Sequence, residues 1–173
     1  MSSHPKRLAL VLEGTTGHAH SILDALGSGD PDCEVILKDD ELDALDYLLC
    51  RGAYAGRDAH VMPCVTLLDL AQPPSDGLGL LREMRAHEQT RLLPVVVFSS
   101  AQEPPQAGEI YAAGANSYID LRPGFEPFEE SIRHVAHYWC VVNDSPPPPR
   151  CSPCCSLQVS LGAPSLRITE KTA

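Results

Sequence analysis

Basic residues are scarce in this chain: 13 Lys and Arg stand against 23 Asp and Glu, for a net charge of −10 and a pI near 5.0. Such a surface offers the phosphates of nucleic acid or anionic lipid no cationic partner, so binding to either is not expected. No apolar run approaches the ~20 residues that a membrane span needs. The opening Met1-Ser2-Ser3-His4-Pro5-Lys6-Arg7 leads into a strand pattern and lacks the apolar stretch of a secretory leader, so a cytoplasmic protein is expected. Seven cysteines are an odd number, and Cys33, Cys50 and Cys64 fall in apolar segments where a free thiol behaves as a small hydrophobe. A disulfide framework is therefore not expected. There is no internal repeat.

What is present is enough apolar material for one core: 43% of 173 residues are hydrophobic. Residues 8–13, 33–37, 64–68, 94–98 and 117–119 read as short strands, three of them almost wholly apolar, which suits a parallel sheet covered on both faces. Segments 18–26, 40–49, 77–87, 106–113 and 125–142 carry helical periodicity. The order is β-α five times over and predicts a doubly wound α/β domain with right-handed crossovers. Asp39 and Asp40 can cap the second helix, Gly52 follows its end and Gly114 follows the fourth. The expected organisation is a lead at 1–6, a domain at 7–145, and a proline spacer with a cysteine-containing, disordered tail at 146–173.

Asp69 closes the strand pattern Val65-Thr66-Leu67-Leu68, and a carboxylate at the carboxyl end of a parallel strand faces the crevice where such sheets bind ligands. The same topology brings Glu13, Ser99 and the residues after Ile119 to that rim. A carboxylate pair there suits Mg²⁺, which prefers oxygen ligands, and a nearby hydroxyl can bond a phosphoryl oxygen.

With these residues in place, the chain resembles the receiver domain of two-component response regulators, above all the single-domain receivers paired with phytochrome-type histidine kinases. The resemblance covers about residues 8–149. It is carried by Leu12-Glu13, Ala44-Leu45-Asp46-Tyr47-Leu48, Gly52-Ala53-Tyr54-Ala55-Gly56-Arg57-Asp58, Leu67-Leu68-Asp69-Leu70 with Asp76-Gly77-Leu78, Leu93 to Ser100, Gly114-Ala115-Asn116-Ser117-Tyr118, and Tyr138-Trp139 before Asn143. It implies a flavodoxin-like five-stranded parallel sheet in the order 2-1-3-4-5. It also implies that Asp69 is the phosphoacceptor position, Glu13 a metal-site acid, the Ala71 carbonyl a metal ligand, Ser99 the conserved hydroxyl and Tyr118 the switch aromatic.

Two positions depart from the family pattern. Gly14 stands where the second metal-site acid belongs, and Leu121 where the family has lysine. Mg²⁺ then loses a charged ligand, and the phosphoryl oxygens lose a cation. A one-residue bulge placing Arg122 in the site is the alternative that would rescue the charge. The expected protein is a degenerate receiver in phosphorelay signalling, no enzyme, with no output domain in the 24 residues after Pro149. Its expected contacts are a sensor histidine kinase and a second copy, through the face around Tyr118 and the last two helices, where Tyr111, Phe125, His137 and Trp139 lie. Two alternatives stay open. One is a working phosphoacceptor at Asp69 with Mg²⁺. The other is a thiol or zinc sensor using Cys151, Cys154 and Cys155, with His137 and Cys140 supplying the other half of a metal site.

Overall fold

Strands that are apolar on both faces need cover on both sides. In the computed structural model, which describes residues 7–13, 19–29, 33–70, 77–101, 103–121 and 128–147, the three central strands are of this kind. They are β1 (Arg7–Leu12), β3 (Val65–Asp69) and β4 (Val95–Ser99), while β2 (Cys33–Lys38) and β5 (Ser117–Asp120) form half-buried edges. All pairs are parallel and the order is β2-β1-β3-β4-β5, the expected topology.

Alternation along the strands sorts the core into two layers. Leu10, Leu12, Leu68 and Val97 meet Ala44 and Leu48 of α2 (Glu41–Leu48), Leu81 and Met84 of α3 (Leu78–Ala86), and Ile110 of α4 (Ala107–Ala112). Ala9, Val11, Leu67 and Phe98 meet Ile22 and Leu26 of α1 (Ala19–Gly29) and Ile132 and Ala136 of α5 (Phe128–Ala136). Each of these large side chains is removed from water, a gain of about 1.5–3 kcal/mol apiece.

Local chemistry sets the ends. Asp40 caps α2 by accepting from Asp43 N at 2.8 Å. Gly52 does not end that helix directly. The chain first reverses at Cys50, a non-glycine residue with φ of 53°, and Gly52 then opens a short 3₁₀ turn, Gly52–Tyr54. Polar groups hold this reversal: Arg57 Nη1 lies 3.3 Å from Cys50 Sγ, and Gln89 Nε2 donates to Leu48 O at 3.0 Å.

Gly114 has φ of +108° in the turn before β5, where a Cβ would fall 2.8 Å from Arg85 Cγ. The Arg85 guanidinium occupies that space. It donates to Gly114 O at 2.9 and 2.7 Å, Leu93 O at 3.0 Å and Asn116 Oδ1 at 3.0 Å, while Asn116 Oδ1 accepts from Val95 N at 2.8 Å. These bonds tie α3 to the turn that launches β5.

One helix was expected over 125–142. Instead α5 passes into a π-helix, His137–Val142, in which Asn143 N donates to Tyr138 O at 2.7 Å. Ile132, Ala136 and Cys140 are buried, and a spacing of four residues fits either helix, so periodicity could not separate them. Among the described residues no helix is long and apolar enough to cross a membrane.

Candidate functional site

Register builds the site. Leu12 pairs with Leu68, so Glu13 and Asp69 are the next rung on adjacent parallel strands, whose backbones run roughly 4.8 Å apart. By alternation both side chains leave the sheet on the side of Val11 and Leu67. Glu13 is 3% exposed, and its N–H donates to Lys38 O at 2.9 Å, which fixes the backbone just past β1. Asp69 pairs with Phe98, and its Oδ1 is sealed from solvent.

Ser99 is fully buried at the end of β4. Its Oγ accepts from Ala101 N at 3.2 Å, and its carbonyl accepts from Leu121 N at 2.9 Å. Glu13, Asp69, Ser99 and Leu121 thus come to one rim, as the sequence predicts. Leu121 packs with Ile119 and Phe128 into the apolar layer that contains Phe98, and the Phe98 and Phe128 rings meet edge to face at 6.2 Å.

Tyr118 turns inward. Its ring packs against the α2–α3–α4 layer and its hydroxyl is buried. With Asp120, Pro104, Pro105 and Gln106 it lines a cleft of about 490 Å³ beside α4.

Lys38, at the carboxyl end of β2, was not singled out from sequence. Its Nζ lies 2.6 Å from Asp43 Oδ2, bonds the Tyr54 hydroxyl, and stands 4.4 Å from the Tyr54 ring centroid. Tyr54 in turn donates to Asp43 Oδ1 at 2.8 Å. Burial pulls the Lys38 pKa down, but the hydrogen bonds and charges of Asp43 and Tyr54 outweigh it and leave it raised. The hydrogen bond from Lys38, then that from Tyr54, hold the Asp43 carboxyl below the usual carboxylate range. In the sequence, the β2 end opposite an acidic helix start is the signal for this cluster.

Gly14, Ala71, Arg122 and Phe125 lie outside the described residues, as do Cys151, Cys154 and Cys155 with the tail from 148 onward. The zinc half-site is corrected: His137 is exposed, whereas Cys140 is 3% exposed and faces Cys33 and Cys64, so the two do not share a ligand site. Trp139 is half-buried against the α1–α5 layer, with its ring edge to face on Tyr138 at 5.1 Å. Among the described residues no group of three or more His, Cys, Asp or Glu side chains is arranged to hold a metal ion.

No family model matches the chain. Among curated proteins it is similar to the probable methanogenesis regulatory protein FilR2 of Methanothrix harundinacea, 32% identical over 61% of this chain and 65% of that one. It thus spans just under two thirds of that relative's length. It is also similar to the response regulator Rcp1 of Synechocystis, 23% identical over 79% of this chain and 91% of that one. Among solved structures, the bacteriophytochrome response regulator RtBRR is 31% identical, with 82% of this chain and 84% of that one covered and a TM-score of 0.61. The Mn²⁺-bound form of Rcp1 superposes with a TM-score of 0.70 over 81% of this chain and 99% of that one; at 22% identity it supports the fold alone.

Proposed function

The chain belongs to the receiver family of response regulators in two-component signalling, and we propose that it works there as a degenerate receiver, a cytoplasmic module at residues 7–145 acting by protein contact and not as an enzyme. Leu121 carries this reading. Its side chain belongs to the apolar layer around Phe98 and Phe128 at the strand end where a receiver places its lysine. A phosphoryl group on Asp69 would add charge beside the buried Glu13 carboxylate with no cation from β5 to offset it.

In this reading Asp69 is the phosphoacceptor position, Ser99 the conserved hydroxyl, Tyr118 the switch aromatic, and Gly14 and Leu121 the lost acid and lysine. The Glu13 and Asp69 carboxylates suit a hard divalent cation in kind. With the Ala71 carbonyl they would hold Mg²⁺ more weakly than a three-carboxylate-and-carbonyl set. Bound there, the cation would supply positive charge to phosphoryl oxygens. The neighbouring strands fix both carboxylates, and Ser99 is aligned by its bond from Ala101 N.

The partner is a sensor histidine kinase of the phytochrome type, in keeping with the names of RtBRR and of the phytochrome response regulator RcpA, whose structure is 24% identical. The contact face lies at the ends of the last two helices, where Tyr111, Tyr138, Val141 and Val142 are exposed, and a second copy would meet it there.

The convergence of Glu13, Asp69 and Ser99 favours one second reading, a working phosphoacceptor with Arg122 entering the site. Intact mass after incubation with Mg²⁺ and a small-molecule phosphodonor separates the two. The degenerate receiver gives no adduct on folded wild type or Asp69→Ala while an ordinary receiver is labelled. One phosphoryl group on wild type alone establishes the second reading.

A further inference from the structure

Three cysteines far apart in sequence meet at the amino ends of the strands, away from the acidic rim. Cys140 Sγ lies 3.1 Å from Cys64 Sγ and 3.8 Å from Cys33 Sγ. Cys33 opens β2 opposite Arg7, and Cys64 enters β3 by donating its N–H to Leu8 O at 2.7 Å. Since β1 runs between β2 and β3, the two flanking backbones stand about two strand spacings apart, roughly 9–10 Å. A disulfide needs Cα atoms within about 7 Å, so Cys33 and Cys64 cannot bridge each other without moving the sheet. The π-helix packs on β1 and carries Cys140 between them, so Cys140 is the shared partner of two mutually exclusive bridges.

Exposure orders the three. Cys64 and Cys140 are buried, and Cys33 is the partly exposed member. We infer that Cys33, Cys64 and Cys140 form a three-thiol site that takes a two-electron oxidant of the hydroperoxide class and stores the oxidation as a Cys64–Cys140 disulfide.

The steps balance. The Cys33 thiol attacks the peroxide; the O–O bond breaks, giving Cys33 sulfenic acid and an alcohol, or water from hydrogen peroxide. The Cys140 sulfur then attacks Cys33, the S–O bond breaks, and water leaves with the Cys140 proton. Finally the Cys64 sulfur attacks Cys140, and Cys33 departs as a thiol with the proton that Cys64 gives up. Two thiols and one hydroperoxide become one disulfide, one alcohol and one water.

Cys64 and Cys140 are closed to the solvent that carries the oxidant. For Cys64 the Cys140 contact, the largest influence, lowers the pKa, but the Cys33 contact and burial together push it up to about 12. Contacts with Cys33 and Cys64, and burial, also push Cys140 up. Both are held as thiols, so entry through Cys33 is the open route.

The test treats the full chain with hydrogen peroxide, alkylates remaining thiols, and maps peptides by mass. Wild type should lose two hydrogens in a Cys64–Cys140 cross-link that a dithiol reverses. Cys33→Ala should form that bridge about tenfold or more slowly. Cys64→Ala should stop at Cys33–Cys140, and Cys140→Ala should give no bridge among the three. If Cys140→Ala fails to fold, the rate in Cys33→Ala, changed at the partly exposed position, decides alone. Equal rates in wild type and Cys33→Ala would overturn the proposal. So would over-oxidised Cys33 beside free Cys64 and Cys140, bridging confined to Cys151, Cys154 and Cys155, or stoichiometric zinc retained by the three thiols.

Discussion

Replacing Gly114 by alanine should destabilise the protein by about 3–5 kcal/mol, for two separable reasons. At φ of +108° an L-residue is strained, which costs about 1–3 kcal/mol. The new Cβ also falls 2.8 Å from Arg85 Cγ and 2.9 Å from Nε, so the guanidinium must leave its place. Two charge-assisted bonds to Gly114 O go with it, a further loss of about 2 kcal/mol. Urea unfolding followed by far-UV circular dichroism would show the midpoint falling by roughly 2 M, given a slope of about 2 kcal/mol per M. A double-mutant cycle isolates the cause. In an Arg85→Met background Gly114→Ala should cost only the strain, leaving a coupling of about 2 kcal/mol. A cost below about 1 kcal/mol in wild type, or equal costs in the two backgrounds, would refute the account.

Ile132→Ala should lose about 2–5 kcal/mol in the same unfolding assay, because Ile132 is fully buried between α5 and the sheet and leaves a cavity. Asp40→Ala removes the acceptor for Asp43 N and should cost about 1 kcal/mol, read as a midpoint shift, whereas Asp40→Ser should restore most of it. The Lys38–Asp43 pair predicts a pH signature for Asp43→Asn measured against wild type. Asp43 is lowered from 3.8, so its stabilisation holds above that value and is lost as pH falls below it; Lys38 is raised from 10.5, so its share holds below 10.5 and is lost at higher pH. The stability gap between the two proteins should therefore be flat through neutral pH and close at both extremes, and a gap that does not narrow at all as the pH is lowered progressively below 3.8 would count against the assignment.

The central strands were readable because burial on both faces leaves almost no polar residue in Val95-Val96-Val97-Phe98 or Leu8-Ala9-Leu10-Val11-Leu12. Their carboxyl ends were readable too, since parallel topology fixes which residues share a rim; Glu13, Asp69, Ser99 and Leu121 all fell there. Contacts between distant segments were not readable. Sequence gives Cys33 and Cys64 as separate small hydrophobes and sets Cys140 beside His137, and only the packing of the last helix over β1 brings the three thiols together. Lys38 escaped notice for a similar reason, because its partners Asp43 and Tyr54 sit on a helix and on a 3₁₀ turn that periodicity did not resolve. The positive φ at Cys50 was hidden because the residue that solves that turn is not a glycine, and the polar groups holding it come from Arg57 and Gln89.

The π turn after Ala136 makes chain length itself a determinant of which surface this protein shows. A residue advances the azimuth by about 100° in an α-helix and by less in the wider π turn, so deleting one residue between Ala136 and Cys140 would swing every later side chain by roughly a quarter turn. Cys140 would leave the interior and Val141 would take its place, while Tyr138 and Val142 would point elsewhere. Point substitutions along this segment should therefore be milder than a single deletion. Lineages that gain or lose one codon here would turn a different face of the terminal helix inward while keeping nearly the same amino-acid composition.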